Sequence, residues 1–171
     1  MRFFAALLGT LGSLALSLAP AHADVWIQRD YGGQIGPYLY RFAQVRESGQ
    51  RVIIDGQCFS ACTLVLAVVP PSRICITPRA NLGFHAAWLP DEDGRPVTSR
   101  GGTRLLWNFY PPRIRHWISR HGGLTARTIF LSGRELASMY RPCGGAVTAA
   151  RSEGSRSRAR PELSRAQIGP M

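Results

Sequence analysis

Residues 52–69 read VIIDGQCFSACTLVLAVV: two apolar runs separated by a short break that holds one serine between two cysteines. The β-branched run from Arg51 to Asp55 predicts a buried strand. Ser60 to Val69 predicts a buried helix, ended by Pro70-Pro71. A strand without polar alternation has to be covered on both faces, and crossover helices supply that cover in parallel sheets.

The rest of the chain repeats this alternation. VWIQ at 25–28 predicts a short strand, stopped at DYGG, where two adjacent glycines mark a tight backbone turn. From Ile35 to Arg46 the apolar residues follow helical spacing, and Ser48-Gly49 stops them. Arg73–Thr77 and Leu82–Ala87 predict two more strands. Leu89–Gly102 is polar and rich in turn formers, which predicts a long loop. Thr103 is placed to cap a helix through Tyr110. Pro112 suits the first position of the next helix, which runs to Arg120 with Ile114, Trp117 and Ile118 on one face. Ser132 and Glu135 have the spacing of a capping box for a last helix, Gly133–Tyr140. Strands alternating with helices predict an α/β fold with a small, mostly parallel sheet and flanking helices.

The chain opens with MRFFAALLGTLGSLALSLAPAHA. One arginine, an apolar stretch and the small-x-small pattern Ala21-His22-Ala23 have the form of a signal peptide, residues 1–23. The stretch is shorter than the ~20 residues that span a bilayer comfortably. The expected mature chain starts at Asp24, has no membrane span, and is periplasmic or secreted. It comprises one domain, 24–147, and an Arg/Ser-rich tail, 148–171, whose composition predicts disorder.

All four cysteines, Cys58, Cys62, Cys75 and Cys143, lie in the expected domain. An even number in an oxidising compartment predicts two disulfides, with three pairings open. No histidine is spaced to complete a zinc site with them, so no metal is expected. The formal charge is +11, and all 21 basic residues are arginine. Such a balance suits anionic partners in general, but a chain sent out of the cytoplasm is not expected to meet nucleic acid.

A serine at a strand-to-helix turn has two explanations. It is a good N-cap. It is also where an α/β fold would present a nucleophile, at the C-terminal end of a buried strand. A hydroxyl nucleophile needs a base beside it and N–H donors for the oxyanion. The Ala61 N–H is one such donor. Three histidines remain after the leader. His116 and His121 sit in RHWISRHGG and read as helix-surface residues. His85 follows the short apolar stretch LGF, 25 positions after Ser60.

The order DYGGQIG at 30–36, VIIDGQCFSACTLVLAVV at 52–69 and RICITPRANLGFH at 73–85 resembles the Clp protease/crotonase superfamily. In that family a Gly-Gly turn and a helix precede a strand and a G-Q-x-x-S turn, and R-x-x-x-x-P-x-A/S-x-x-x-x-H follows. FLSGRELASMY at 130–140 resembles a later helix of the same family. The similarity runs from Tyr31 to Tyr140, about two thirds of the chain. With its S-A-C tripeptide and leader, the chain looks most like the small periplasmic members. The resemblance implies a ClpP-like fold with a reduced N-terminal side. It implies Ser60 as nucleophile, His85 as general base, and Gly32 or Gly33 with Ala61 as the oxyanion hole. Cys58 and Cys62 would then brace the serine turn as half-cystines.

The third member departs from the family. Where Clp-type peptidases have an aspartate, this chain has Thr128. Asp91, Asp93, Glu135 and Asp55 are the carboxylates that could replace it. Two readings follow: a serine hydrolase or peptidase-like enzyme acting on a peptide or acyl-type substrate through a Ser60–His85 dyad, or an inactive relative that binds or scaffolds in the cell envelope. A third reading, a polyanion binder, requires arginines gathered on one face. No cofactor is implied, and an oligomer is compatible with the resemblance, although the ring-building segments of Clp-type peptidases are not recognisable.

Overall fold

In the computed structural model, which describes residues 23–144, β1 (Val25–Asp30) lies parallel to β2 (Val52–Phe59), joined through helix α1 (Ile35–Glu47). A short 3-10 turn over Ser60–Leu64 leads into α2 (Val65–Val68), and a second over Pro71–Arg73 leads into β3 (Ile74–Ile76). β4 (Asn81–Phe84) is followed by a hairpin of β5 (Trp88–Pro90) and β6 (Pro96–Thr98). Helices α3 (Arg100–Phe109) and α4 (Pro112–Arg120), strand β7 (Ile129–Ser132) and α5 (Gly133–Ala137) complete the order. The expected leader, apart from Ala23, and the tail lie outside the described residues.

The main sheet runs β1-β2-β4-β7, with β3 also paired to β2. The pairs β1–β2, β2–β3 and β2–β4 are parallel, and β4–β7 is antiparallel. The fold is therefore α/β with a mixed, mostly parallel sheet and flanking helices, as the alternation predicted. β2 is the axis: Val52, Ile54, Cys58, Leu64 and Val65 along it and the turn beyond are all fully buried. Helix α4 buries Ile114, Trp117 and Ile118, the face its spacing predicted. Each large apolar side chain so covered contributes roughly 1.5–3 kcal/mol.

Several boundaries move, each for a visible reason. The predicted strand 51–55 continues to Phe59, because Gly56 is a strand residue rather than a turn. A Cβ there would meet the Gln28 carbonyl oxygen at 2.0 Å, opposite the irregularity between Ile27 and Arg29. The predicted helix 60–69 opens as a 3-10 turn, and the strands expected at 73–77 and 82–87 shorten to Ile74–Ile76 and Asn81–Phe84. The loop expected over 89–102 holds the β5–β6 hairpin, whose turn is tied by the Asp91 carboxylate accepting from the N–H groups of Asp93 and Arg95. Helix α3 starts at Arg100, not Thr103, because the Ser99 hydroxyl accepts from the Gly102 N–H and provides the cap. The last helix ends at Ala137, and its expected capping box does not form.

The four cysteines form two disulfides, Cys58–Cys62 and Cys75–Cys143. The first spans the serine turn. The second ties β3 to the chain beyond α5, where Ile76 also bridges to Pro142. This pairing resolves the three possibilities and fits an oxidising compartment. Among the described residues, no helix is long and apolar enough to cross a membrane.

Candidate functional site

Ser60 has φ 54°, and it is the sole non-glycine residue with positive φ among those described. An L-residue in this region is strained by roughly 1–2 kcal/mol, and such strain concentrates at functional positions. The N-cap explanation does not hold. The cap position of the 3-10 turn belongs to Phe59, and no side-chain capping bond is made. Instead Ser60 is the first residue of the turn, and it lines a cleft of about 650 Å³ together with His85, Gly32, Gly33 and Ala61. The five residues singled out from sequence are thus brought to one cavity.

Three supports hold the serine turn. The buried Cys58–Cys62 disulfide closes it from below. The Thr63 hydroxyl donates to the Ser60 carbonyl at 2.6 Å and accepts from the Tyr110 hydroxyl at 2.7 Å. Tyr110 is deeply buried, and burial pushes its pKa up to about 12. It therefore stays a neutral donor at any physiological pH. The third support is the glycine turn after β1, packed directly over Ser60.

That glycine turn is fixed by Asp30. One of its oxygens accepts from the Gly32 N–H at 3.0 Å and from the Tyr38 hydroxyl at 2.5 Å, while the other meets Arg41 at 3.1 Å. Burial, with Asp30 adding to it, raises the Tyr38 pKa to about 12. The Gly32 N–H is given to Asp30 and is not free for a bound group, while Gly33 and Ala61 line the cleft beside it. Gly32 has a different task. At φ +83°, a Cβ on it would lie 2.7 Å from the Ser60 Cβ and 2.8 Å from the Ala61 nitrogen. Only hydrogen fits there.

His85 follows β4. Its Nδ1 lies 2.7 Å from the Ala86 carbonyl oxygen. A carbonyl can only accept, so Nδ1 carries the proton and Nε2 keeps a lone pair in the neutral ring. Among the described residues, no hydrogen bond joins the Ser60 hydroxyl to His85. Thr128 does not reach the histidine either. Its methyl faces Gly83, 3.2 Å from where a Cβ would stand. The alternative carboxylates are engaged elsewhere. Asp55 binds Thr77, Arg79 and Gln28. Glu135 accepts from the Trp117 indole, Asp91 holds the hairpin turn, and Asp93 pairs with Arg95. His116 and His121 lie away from the cleft, His121 stacked on Trp117.

Sequence reasoning missed Asp30, Thr63, Tyr110 and the β5 wall. Asp30 had a signal, since an aspartate two residues before a glycine forms an Asx turn readily. Trp88, Leu89 and Pro90 line the cleft opposite the glycine turn. No side chain in the cleft lining is an arginine or a carboxylate. In a chain with 21 arginines, this is a mainly apolar space with a few uncharged polar groups in its lining. Among the described residues, no group of three or more His, Cys, Asp or Glu side chains is gathered to hold a metal ion. The chain matches no protein-family model and no curated protein.

Proposed function

We propose that this chain is a secreted or periplasmic serine hydrolase of the Clp protease/crotonase type, acting on an uncharged acyl or peptide group. The observation that carries the reading is Ser60: strained, uncapped, and open to a cleft that also holds a histidine with a free ring nitrogen. In the reaction, Nε2 of His85 takes the Ser60 hydroxyl proton as Oγ attacks the acyl carbon. The oxyanion that forms is met by the N–H groups of Gly33 and Ala61. The imidazolium then protonates the leaving group, and a water repeats the sequence to release the acid. The Ser60–His85 bond forms as the acyl group is bound, as catalytic hydrogen bonds often do.

The Ala86 carbonyl takes the place of the missing aspartate. It orients the ring and selects the tautomer, but it carries no charge to stabilise the imidazolium. Loss of that carboxylate from a Ser-His-Asp site costs about 10⁴ in turnover, so a slow hydrolase is expected. The same feature favours a second reading, in which the fold binds its ligand without cleaving it.

A fluorophosphonate probe separates the two. Labelling that vanishes in Ser60→Ala and falls in His85→Ala supports the hydrolase. Well-folded protein that stays unlabelled leaves the binding reading.

A further inference from the structure

Trp88 and Leu89 are exposed at 52 % and 62 %, on a strand of only three residues. Both line the Ser60 cleft, where an apolar ligand would take them out of water. Pro90 lines it too, so the whole of β5 runs along the cleft. At the other limit stands Leu106, 2 % exposed, which belongs both to the lining and to the core. Ser99, Gly102 and Leu106 recur at helical spacing, so one face of α3 forms this wall. A Cβ on Gly102 would stand 2.8 Å from the Ala87 Cβ, so α3 is closed tightly onto the chain that follows His85. The cleft therefore grades from a solvent-exposed apolar wall to a buried apolar end.

What such a space can hold is narrowed by its chemistry. Among the described residues, no arginine lines it, so a phosphate or carboxylate would meet no guanidinium there. An extended peptide is held by main-chain bonds along a strand edge. In the hairpin, the Ser99 N–H donates to the Ala87 carbonyl and the Asp91 N–H to the Arg95 carbonyl. Alternation along β5 then turns the main-chain groups of Trp88 and Pro90 to the other edge. Proline has no N–H, so Trp88 is the sole donor on that edge of β5. Across the cleft, the Gly32 N–H is already held by Asp30. A peptide would find few main-chain partners, whereas an aliphatic chain needs none.

We infer that the Ser60 cleft takes an aliphatic acyl chain, carried by an uncharged ester or amide, and that Trp88 and Leu89 decide how strongly the length of that chain counts. The chain lies between β5 and α3, toward Leu106, and its carbonyl sits at Ser60. This rests on the reading of the cleft as the place where an acyl group is bound, and it names what that group is.

The test is calorimetric titration of the Ser60→Ala protein with butanamide, hexanamide and octanamide, uncharged chains that end in an acyl carbonyl. Each methylene buried should tighten binding about fourfold. Octanamide should then bind on the order of a hundredfold more tightly than butanamide. Trp88→Gln/Leu89→Gln should flatten the series. Val97→Gln, on the paired strand β6, exposed at 52 % and outside the cleft lining, should leave it steep. A flat series, equal effects of the two hairpin variants, or an acetylated tetra-alanine amide that binds more tightly than octanamide overturns the inference. Fluorophosphonate labelling of the unsubstituted protein is read separately. Labelling with a flat series keeps the hydrolase and refutes the acyl chain. A steep series without labelling keeps the acyl chain, held in a cleft that binds without cleaving.

Discussion

Gly32 and Ser60, on different strand ends and 28 positions apart, touch so closely that a methyl group on the glycine would stand 2.7 Å from the serine's Cβ. Gly32→Ala should therefore lower stability by about 2–4 kcal/mol, from the clash and from forcing alanine to positive φ. Gly36, in the first turn of α1 with open space around it, is the control. Gly36→Ala should be neutral or stabilise by up to ~1 kcal/mol. Urea unfolding of both variants reads the difference, and equal effects would refute the close approach.

The Tyr110–Thr63–Ser60 relay predicts an order of damage. Tyr110→Phe loses one buried hydrogen bond, worth about 1–2 kcal/mol. Thr63→Val should cost more, because it strips the Ser60 carbonyl of its donor and leaves the buried Tyr110 hydroxyl without an acceptor. Adding Tyr110→Phe to Thr63→Val should then recover part of the loss. Strict additivity in a double-mutant cycle would show that the three groups do not act together.

The two disulfides should differ in both energy and consequence. Cys75–Cys143 closes a separation of 68 residues and Cys58–Cys62 one of 4. Loop-closure entropy gives about 4 kcal/mol for the first and about 2 kcal/mol for the second. Replacing Cys75 and Cys143 by alanine should lower the unfolding midpoint most, while probe labelling of the folded fraction at Ser60 persists. Replacing Cys58 and Cys62 should cost less stability but diminish the labelling. A reversed pattern would mean that the small ring does not hold the serine turn.

Stability should fall in acid through Asp55. Its hydrogen bond from Arg79, and next that from Thr77, hold the buried carboxyl below its ordinary range. A carboxyl depressed in the folded state stabilises at pH above its unfolded value, near 4, and loses that contribution as pH falls further. Unfolding midpoints measured from pH 7 down to 2.5 should bend downward below about pH 4. Asp55→Asn should start lower and bend less. An unchanged slope in that variant would assign the acid sensitivity elsewhere.

The features legible in sequence were those written in local pattern. The apolar run before Gly56, the Ile114–Trp117–Ile118 stripe and the proline start of α4 all expressed themselves over a few neighbouring residues. The serine turn was legible as well, as the break between two apolar runs, a strand before it and a helical turn after it. What escaped depends on distant partners. β7 was not anticipated because its four residues, partly exposed, become a strand only by lying antiparallel to β4. The β5–β6 hairpin hid behind Asp, Gly and Pro, whose turn chemistry outweighed two strands of three residues each. Thr63 and Tyr110 lie 47 positions apart, and nothing in either neighbourhood announces the bond between them.

Along the side of β2, the strands β3 and β4 occupy a single interrupted lane. Val52 faces Ile74, an offset of 22, whereas Gln57 faces Asn81, an offset of 24. The chain between Ile76 and Asn81 has therefore slipped in two extra residues, and two is an even number. Strand faces alternate with every residue. An odd slip would have turned Leu82 and Phe84 outward and carried His85 off the cleft that Ser60 opens into. The placement of serine and histidine on one cleft thus rests on a parity rule, kept by the length of the short step between β3 and β4.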